Sequence, residues 1–269
     1  MSQEIEKIDD LHSDQKSKTL VLAMASLPNE CNIPGYWETL AENTNDWAPQ
    51  ISASPFWRAA NSHIENWKKE YRRETQGLLY KGSEFPSFVG KSAARIKEKT
   101  FEKIERADNG KVEIERIFNQ SVAIPRIEDL VRVRLKTQFL DGVPFLAKKI
   151  LDLAQKYDPT AQVEPKGKLS GYFAQHMTFK LPVHFRFDGR TTSCEVTCEV
   201  QIATALATLV WENSHGLYEG ARVKLERSEE WQWSPKDPRF LSRQLGHMIH
   251  LADGLFCNLR DSSKSVTNK

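Results

Sequence analysis

The sequence predicts an α/β fold in which a mixed sheet is flanked by helices, with helical N- and C-terminal extensions. Three observations carry this. Residues 176–187, "HMTFKLPVHFRF", alternate apolar and polar side chains over their whole length, the period of a strand. Asp188-Gly189 then joins them to "TSCEVTCEVQIAT" (192–204), a two-residue hairpin signal between two alternating runs. On either side of this hairpin, apolar residues recur at helical spacing, through 55–73 before it and 239–260 after it. Helix, strand, helix, hairpin, helix is a mixed plan with a small sheet.

Taken in order, residues 1–50 combine a short apolar segment (20–27) with "NECNIPGYW" and "NTNDWAP", where Pro, Gly and Asn interrupt any long element. Ser54-Pro55 supplies a cap and first turn for the helix carrying Phe56, Ala59, Ala60, His63, Ile64 and Trp67. A second helix is predicted over 92–107. The pattern turns β-rich at "IPRIEDLVRVRLKT" (124–137), and helical again over 145–157, where Leu146, Ile150, Leu153 and Ala154 form one stripe. After the hairpin, helices are predicted over 203–218 and 239–260. In the last, Phe240, Leu241, Leu245, Met248, Ile249, Leu251, Ala252, Leu255, Phe256 and Leu259 make a broad apolar stripe that is expected to be buried, against the body of the protein and the 55–73 helix. Any part left over is a surface for self-association or for a regulator. His247 and His250 are read as structural.

The 269 residues are enough to bury a core, and 39% hydrophobic with 28% charged residues describe a globular chain. A net charge of +2 neither suggests nor excludes nucleic acid. Cys31, Cys194, Cys198 and Cys257 form no CxxC pair and no zinc spacing, so they read as reduced thiols, which points to the cytoplasm. The N-terminus has no signal-peptide core and no apolar run approaches the length of a membrane span, so no membrane partner is expected.

Several segments hold residues suited to chemistry. In 192–204, alternation sets Cys194, Val196, Cys198, Val200 and Ile202 on one face and Glu195, Thr197, Glu199 and Gln201 on the other. That polar face is either wet or the floor of a site. "GKSAARIKEKTFEKIER" carries Lys91, Arg95, Lys97, Lys99, Lys103 and Arg106 among glutamates, which makes either a polyphosphate-binding face or a solvated helix with Glu-Lys pairs. The Gly90-Lys91-Ser92 triplet is not a phosphate-binding loop, because Phe85 stands where that loop needs Gly. "EDLVRVRLK" puts Asp129 at the head of a strand with Arg132, Arg134 and Lys136 along one face. "PKGKLSGYFAQHMTF" offers Gly171 for a bend, Tyr172 as a flat platform and His176 at a strand's start.

In this order and spacing, the Arg-x-Lys helix, Asp-Leu-Val-x-Val-Arg, Pro-Lys…Gly-Tyr-x-x-x-His and Glu-Val-Gln-Ile-x-Thr, followed by a Trp-containing helix, resemble the synthetase domain of the RelA/SpoT alarmone synthetases in its small stand-alone form. The resemblance covers roughly 71–218. It implies a nucleotidyltransferase-like fold and a pyrophosphokinase that moves the β,γ-diphosphate of ATP to the 3′-hydroxyl of a guanosine or adenosine nucleotide, releasing AMP. It also implies a domain over 55–225, between an N-terminal extension (1–54) and a C-terminal helical extension (226–269) packing on it. Carried over by motif, Asp129 and Glu199 match the Mg²⁺-binding acids, with Glu199 also activating the hydroxyl. Arg95, Lys97, Lys103 and Arg134 match ATP-binding residues. Tyr172 matches the residue that stacks on the acceptor base, and Lys166, His176 and Gln201 match other acceptor-side positions.

Two departures lose a basic side chain on or beside the acceptor side: Gly-Tyr-Phe-Ala stands for Gly-Tyr-Arg-Ser at 171–174 and Ala203 for an arginine; Arg132 also stands where a glycine is common. They admit a second acceptor, the 3′ end of tRNA, as in toxic small relatives, with Lys68, Lys69, Arg72 and Arg73 as candidates for its phosphates. A third reading is a degenerate nucleotide-binding regulator. No His-Asp dipeptide is present, so the hydrolase half of the long relatives is missing. Such a synthetase needs restraint by expression, a regulator or an antitoxin partner.

Overall fold

The computed structural model describes residues 27–106, 117–119, 123–167, 171–222 and 232–267. The predicted apolar segment at 20–27, save its last residue, and Ala107 at the end of the predicted second helix lie outside them. Among the described residues the helices are α1 (Tyr36–Ser52), α2 (Pro55–Thr75), α3 (Ala93–Arg106), α4 (Gly142–Ala154), α5 (Ala205–Arg222) and α6 (Pro238–Thr267). The strands are β1 (Val89–Gly90), β2 (Phe118–Asn119), β3 (Ile124–Pro125), β4 (Val131–Thr137), β5 (Gln162–Gly167), β6 (Phe173–Phe187) and β7 (Arg190–Thr204). The sheet order is β1-β4-β7-β6-β5, with β2 and β3 forming a separate ribbon. This is the mixed α/β architecture that the sequence predicts.

The chain divides into two compact units, one of residues 1–50, 89–131 and 181–198, the other of 51–88, 132–180 and 199–269. In the first, α1 lies on the hairpin half of β6. The Asn43 amide donates to Arg186 O and accepts from Arg186 N, both at 2.8 Å, and Trp47 Nε1 donates to His184 O at 2.8 Å. Tyr36, Leu40, Trp47 and Ile51 of α1 are almost fully buried. The helix therefore runs straight through "NTNDWAP", which the sequence reading treats as a breaker. Pro49 sits in the last turn, so the one i→i−4 bond that it removes, to the carbonyl of Asn45, falls near the end of the helix and interrupts no later turn. The hairpin turn is as expected: Asp188 and Gly189 both have positive φ (50° and 70°), the two-residue turn whose twist matches the strands.

In the second unit α2 starts as predicted, with Ser54 Oγ accepting from Trp57 N and Pro55 in the first turn. Its buried face, Phe56, Trp57, Ala60, Ile64, Trp67 and Tyr71, meets Phe85, Phe88, Phe145 and Phe179 through edge-on and tilted rings. β5, with Pro165 inside and Gly167 at its end, carries little strand signal of its own. Its partner recruits it: it pairs antiparallel with β6, Val163 opposite Met177 and Glu164 opposite His176.

The final helix departs from expectation. Leu241, Leu245, Met248, Leu251, Leu255, Phe256 and Leu259, seven of the ten residues in the predicted buried stripe, are exposed. The inner face of α6 is instead small and polar: Arg239, Gly246, Asp253 and Arg260 pack inward. Arg260 reaches α2 and the start of α4, bonding Asp141 at 2.7 Å and Tyr71 Oη at 3.0 Å. No helix among the described residues is long and apolar enough to cross a membrane.

Candidate active site

β7 answers the question its alternation raises, and the answer changes along the strand. Glu195 is exposed and Thr197 half-buried, whereas Glu199 and Gln201 are buried at 5% and 6% exposure. The polar face is wet near the hairpin and enclosed toward α5. Burying a carboxylate demands partners, and Glu199 has them on both oxygens. His176 Nδ1 lies 2.6 Å from Oε1, and Gln201 Nε2 donates to Oε2 at 2.6 Å.

These partners are held in turn. Tyr172 Oη is 2.8 Å from His176 Nε2, and the Arg134 guanidinium donates to Gln201 Oε1 at 3.0 and 3.3 Å. One proton arrangement satisfies every bond: the tyrosine hydroxyl donates to Nε2, Nδ1–H donates to Glu199, the Gln201 amide donates to Glu199, and Arg134 donates to the Gln201 carbonyl. Neighbouring strands explain why these residues meet. Arg134 of β4, Glu199 and Gln201 of β7 and His176 of β6 stand on adjacent strands, and Tyr172 precedes β6 by one residue. Burial pushes the Tyr172 hydroxyl up to about 12, with Arg134 working against it.

Tyr172 is positioned by an unusually close backbone contact. Gly171 has φ 76°, and a Cβ on Gly246 of α6 would lie 2.2 Å from Gly171 O. Only glycine fits at either place. On its other side the Tyr172 ring packs against Trp211 of α5, centroids 4.7 Å apart, beside a small cavity of about 20 Å³ that Ala203 and Arg134 also line. Trp211 belongs to the helix that the sequence marks only as Trp-containing; no spacing rule assigns it to Tyr172.

The other predicted residues fall elsewhere. Asp129 lies in the turn just before β4, where strand alternation does not constrain it. It is 5% exposed, and its Oδ2 accepts from Lys91 Nζ at 2.6 Å and Lys99 Nζ at 2.8 Å. Burial alone raises its carboxyl, but Lys99 and Lys91 outweigh burial and hold it below the usual carboxylate value. Both lysines belong to the basic segment, and nothing in their sequence positions links them to Asp129. The i, i+4, i+8 spacing of Lys91, Arg95 and Lys99 is the only signal that hints at a common face. Arg95 pairs with Glu98 at 2.7 Å, Lys97 is exposed, and Lys103 donates to Arg126 O at 2.5 Å. Lys166 of β5 pairs with Glu164 beside it. Thus Arg134, Tyr172, His176, Glu199 and Gln201 form one bonded cluster, and Asp129 forms another with lysines of the basic segment.

Neither a family model nor a curated protein matches the sequence. Among solved structures, the chain is similar to small alarmone synthetase 1 from Bacillus subtilis, at 14% identity over 86% of this chain and 99% of that one, with a TM-score of 0.50. The same protein bound to its product pppGpp is 15% identical over 80% and 97% of the two chains, TM-score 0.48. A GTP pyrophosphokinase family protein from Streptococcus pneumoniae is 16% identical over 82% and 96%, TM-score 0.46. Identities this low speak to the fold, and the fold of this chain is that of small alarmone synthetase 1, the architecture its sequence motifs resemble.

Proposed function

We propose that the protein is a nucleotide pyrophosphokinase that transfers the β,γ-diphosphate of ATP to the 3′-hydroxyl of a guanosine or adenosine nucleotide. The observation that carries this reading is the buried Glu199 with a histidine on one oxygen and an amide on the other, in a fold shared with an alarmone synthetase. In the reaction the 3′-oxygen attacks the β-phosphorus, the bond from that phosphorus to the α,β-bridging oxygen breaks, and AMP leaves with that oxygen. The hydroxyl proton goes to Glu199. His176 and Gln201 fix the direction in which the carboxylate presents itself, and Tyr172 fixes the tautomer of His176. Arg134, anchored on Gln201, supplies positive charge for phosphate oxygens. Such catalysis rests mostly on positioning and charge stabilisation.

Asp129 and Glu199 are the residues proposed to hold Mg²⁺. Carboxylate oxygens are the hard donors this ion takes, and one or two from protein suffice. When bound, the ion neutralises charge on the transferring phosphates. Lys91 and Lys99 occupy Asp129 Oδ2 in this structure, so they must yield that oxygen or leave the ion the other one. Arg95, Lys97 and Lys103 are proposed for ATP, and Lys166 for the acceptor.

The test is incubation with ATP and Mg²⁺ plus, separately, GDP, GTP, ADP, ATP or deacylated tRNA, following AMP release and the modified acceptor. Glu199→Gln should lower transfer by roughly 10²–10⁴-fold, the range for losing a general base, with unchanged circular dichroism. Wild-type-like turnover in that variant removes Glu199 from the chemistry. Transfer to tRNA alone moves the acceptor to an RNA terminus, and binding of ATP without AMP release makes the protein a nucleotide-binding regulator.

A further inference from the structure

The second unit contains a larger cavity than the one beside Tyr172, about 460 Å³, between α6, the start of α4, β5 and the start of β6. This is within the size range of small-molecule sites. Its walls are mostly apolar, including Leu140, Val143, Pro144 and Phe173, and His250 lies flat on Phe173 with centroids 3.8 Å apart. None of Glu199, His176, Gln201 or Arg134 borders it.

One charged group at this cavity stands out. Asp253 of α6 is 3% exposed, and the Thr204 hydroxyl donates to its Oδ2 at 2.5 Å. That hydroxyl also accepts from Ala207 N at 3.0 Å, capping α5, so it is committed on both sides. The other charges at the cavity are already paired: Asp141 with Arg260, and Lys166 with Glu164. Among the described residues no ion pair reaches Asp253. A carboxyl in an apolar wall with one neutral donor is costly to ionise, and burial raises its titration above the ordinary carboxylate value.

We propose that this cavity is a second ligand site, which takes a small organic amine: an apolar, flat body against Phe173, Pro144 and Val143, and an ammonium group on Asp253. The cation supplies a countercharge where Asp253 has no ion pair among the described residues and only the Thr204 hydroxyl and the neighbouring His250 ring work against burial, and the body fills apolar volume. Inorganic cations do not suit the site, since Asp253 is the only carboxylate at it not already tied to an arginine and the walls offer few further oxygens.

Three isosteric probes test this on the full chain by isothermal titration calorimetry: benzylamine, benzyl alcohol and benzoate. Benzylamine should bind saturably, benzyl alcohol about tenfold more weakly or worse, as expected for loss of a charged hydrogen bond, and benzoate not at all. Asp253→Asn keeps the bond to Thr204 and should bring benzylamine down to the level of benzyl alcohol. Gly254→Leu projects into the same cavity, where a Cβ has only Leu140 within 4 Å, at 3.9 Å; it should abolish binding of both while the chain stays folded. Glu199→Gln should bind benzylamine as the wild type does. The proposal is overturned if benzylamine does not saturate at millimolar concentration, if benzoate equals it, or if Gly254→Leu leaves its affinity intact.

Discussion

Glu199 shows how far a single residue's role can be traced from sequence. Strand alternation alone sets it beside Gln201, and that placement is what the structure has. What alternation cannot supply is depth: the same face is solvated at Glu195 and buried at Glu199, because cover depends on other elements folding over one end of β7. Nor does it reveal what the Tyr172 hydroxyl bonds. The sequence suggests a flat stacking platform, for which Tyr172→Phe is mild. The structure adds a 2.8 Å bond to His176 Nε2 and places Trp211 against the ring. We therefore expect Tyr172→Phe to cut turnover by about tenfold, the worth of one hydrogen bond to a functional group, with the KM for ATP unchanged. Tyr172→Ala should in addition raise the KM for the acceptor, since stacking on an aromatic contributes ~1–3 kcal/mol. Steady-state kinetics of the two variants side by side checks this. Equal kinetics for wild type and Tyr172→Phe would break the proposed chain from Tyr172 to Glu199.

At the scale of elements, α6 is the one whose existence was legible and whose orientation was not. Its apolar residues recur with helical period, so the helix itself follows from the pattern. The choice of inward face usually follows too, but here close backbone approach decides. Gly246 lets α6 come against Gly171, and Arg260 ties its far end to Asp141 and Tyr71. Large apolar side chains on that face would hold the helix off. The two faces should then respond in reverse of what hydrophobicity suggests. Leu251→Gln, at a side chain 65% exposed, should change stability by no more than about 0.5 kcal/mol. Gly246→Ala, one methyl placed 2.2 Å from Gly171 O, should cost about 1–3 kcal/mol, as overpacking does, despite the gain in helix propensity. Urea melts of the two variants separate the cases: a larger loss for Leu251→Gln would mean that the stripe is covered and the inner face is not.

At the scale of the whole molecule, the α/β class was legible because the long hairpin and the amphipathic helices are local patterns. The division into units was not, since the chain passes between them five times and β4, β6 and β7 each belong partly to both. Each unit nevertheless carries a carboxylate held below its usual titration by its partners: Asp129 by the cations Lys99 and Lys91 against the effect of burial, and Asp141 by the Arg260 guanidinium and the Tyr71 hydroxyl that donates to it, against the same effect. The sign of the resulting pH dependence follows. A carboxyl whose titration lies lower in the folded chain than in the unfolded one binds fewer protons when folded. Its stabilisation is complete above the unfolded value, near pH 4, and is lost as pH falls through the folded value. The chain should therefore lose stability steeply on the acid side. Asp129→Asn isolates the contribution of the first unit. It takes from Lys91, whose side chain is 7% exposed, the carboxylate charge that it bonds, and should cost about 3–5 kcal/mol at pH 7, as breaking a buried pair does. That deficit must shrink as pH falls below about 4 toward the lower folded value, at which the wild-type carboxyl also becomes neutral. Thermal melts of both proteins from pH 3 to 8 should thus converge toward acid. Parallel curves, with a constant gap at every pH, would show that the substitution acts through shape and not through the charge of Asp129.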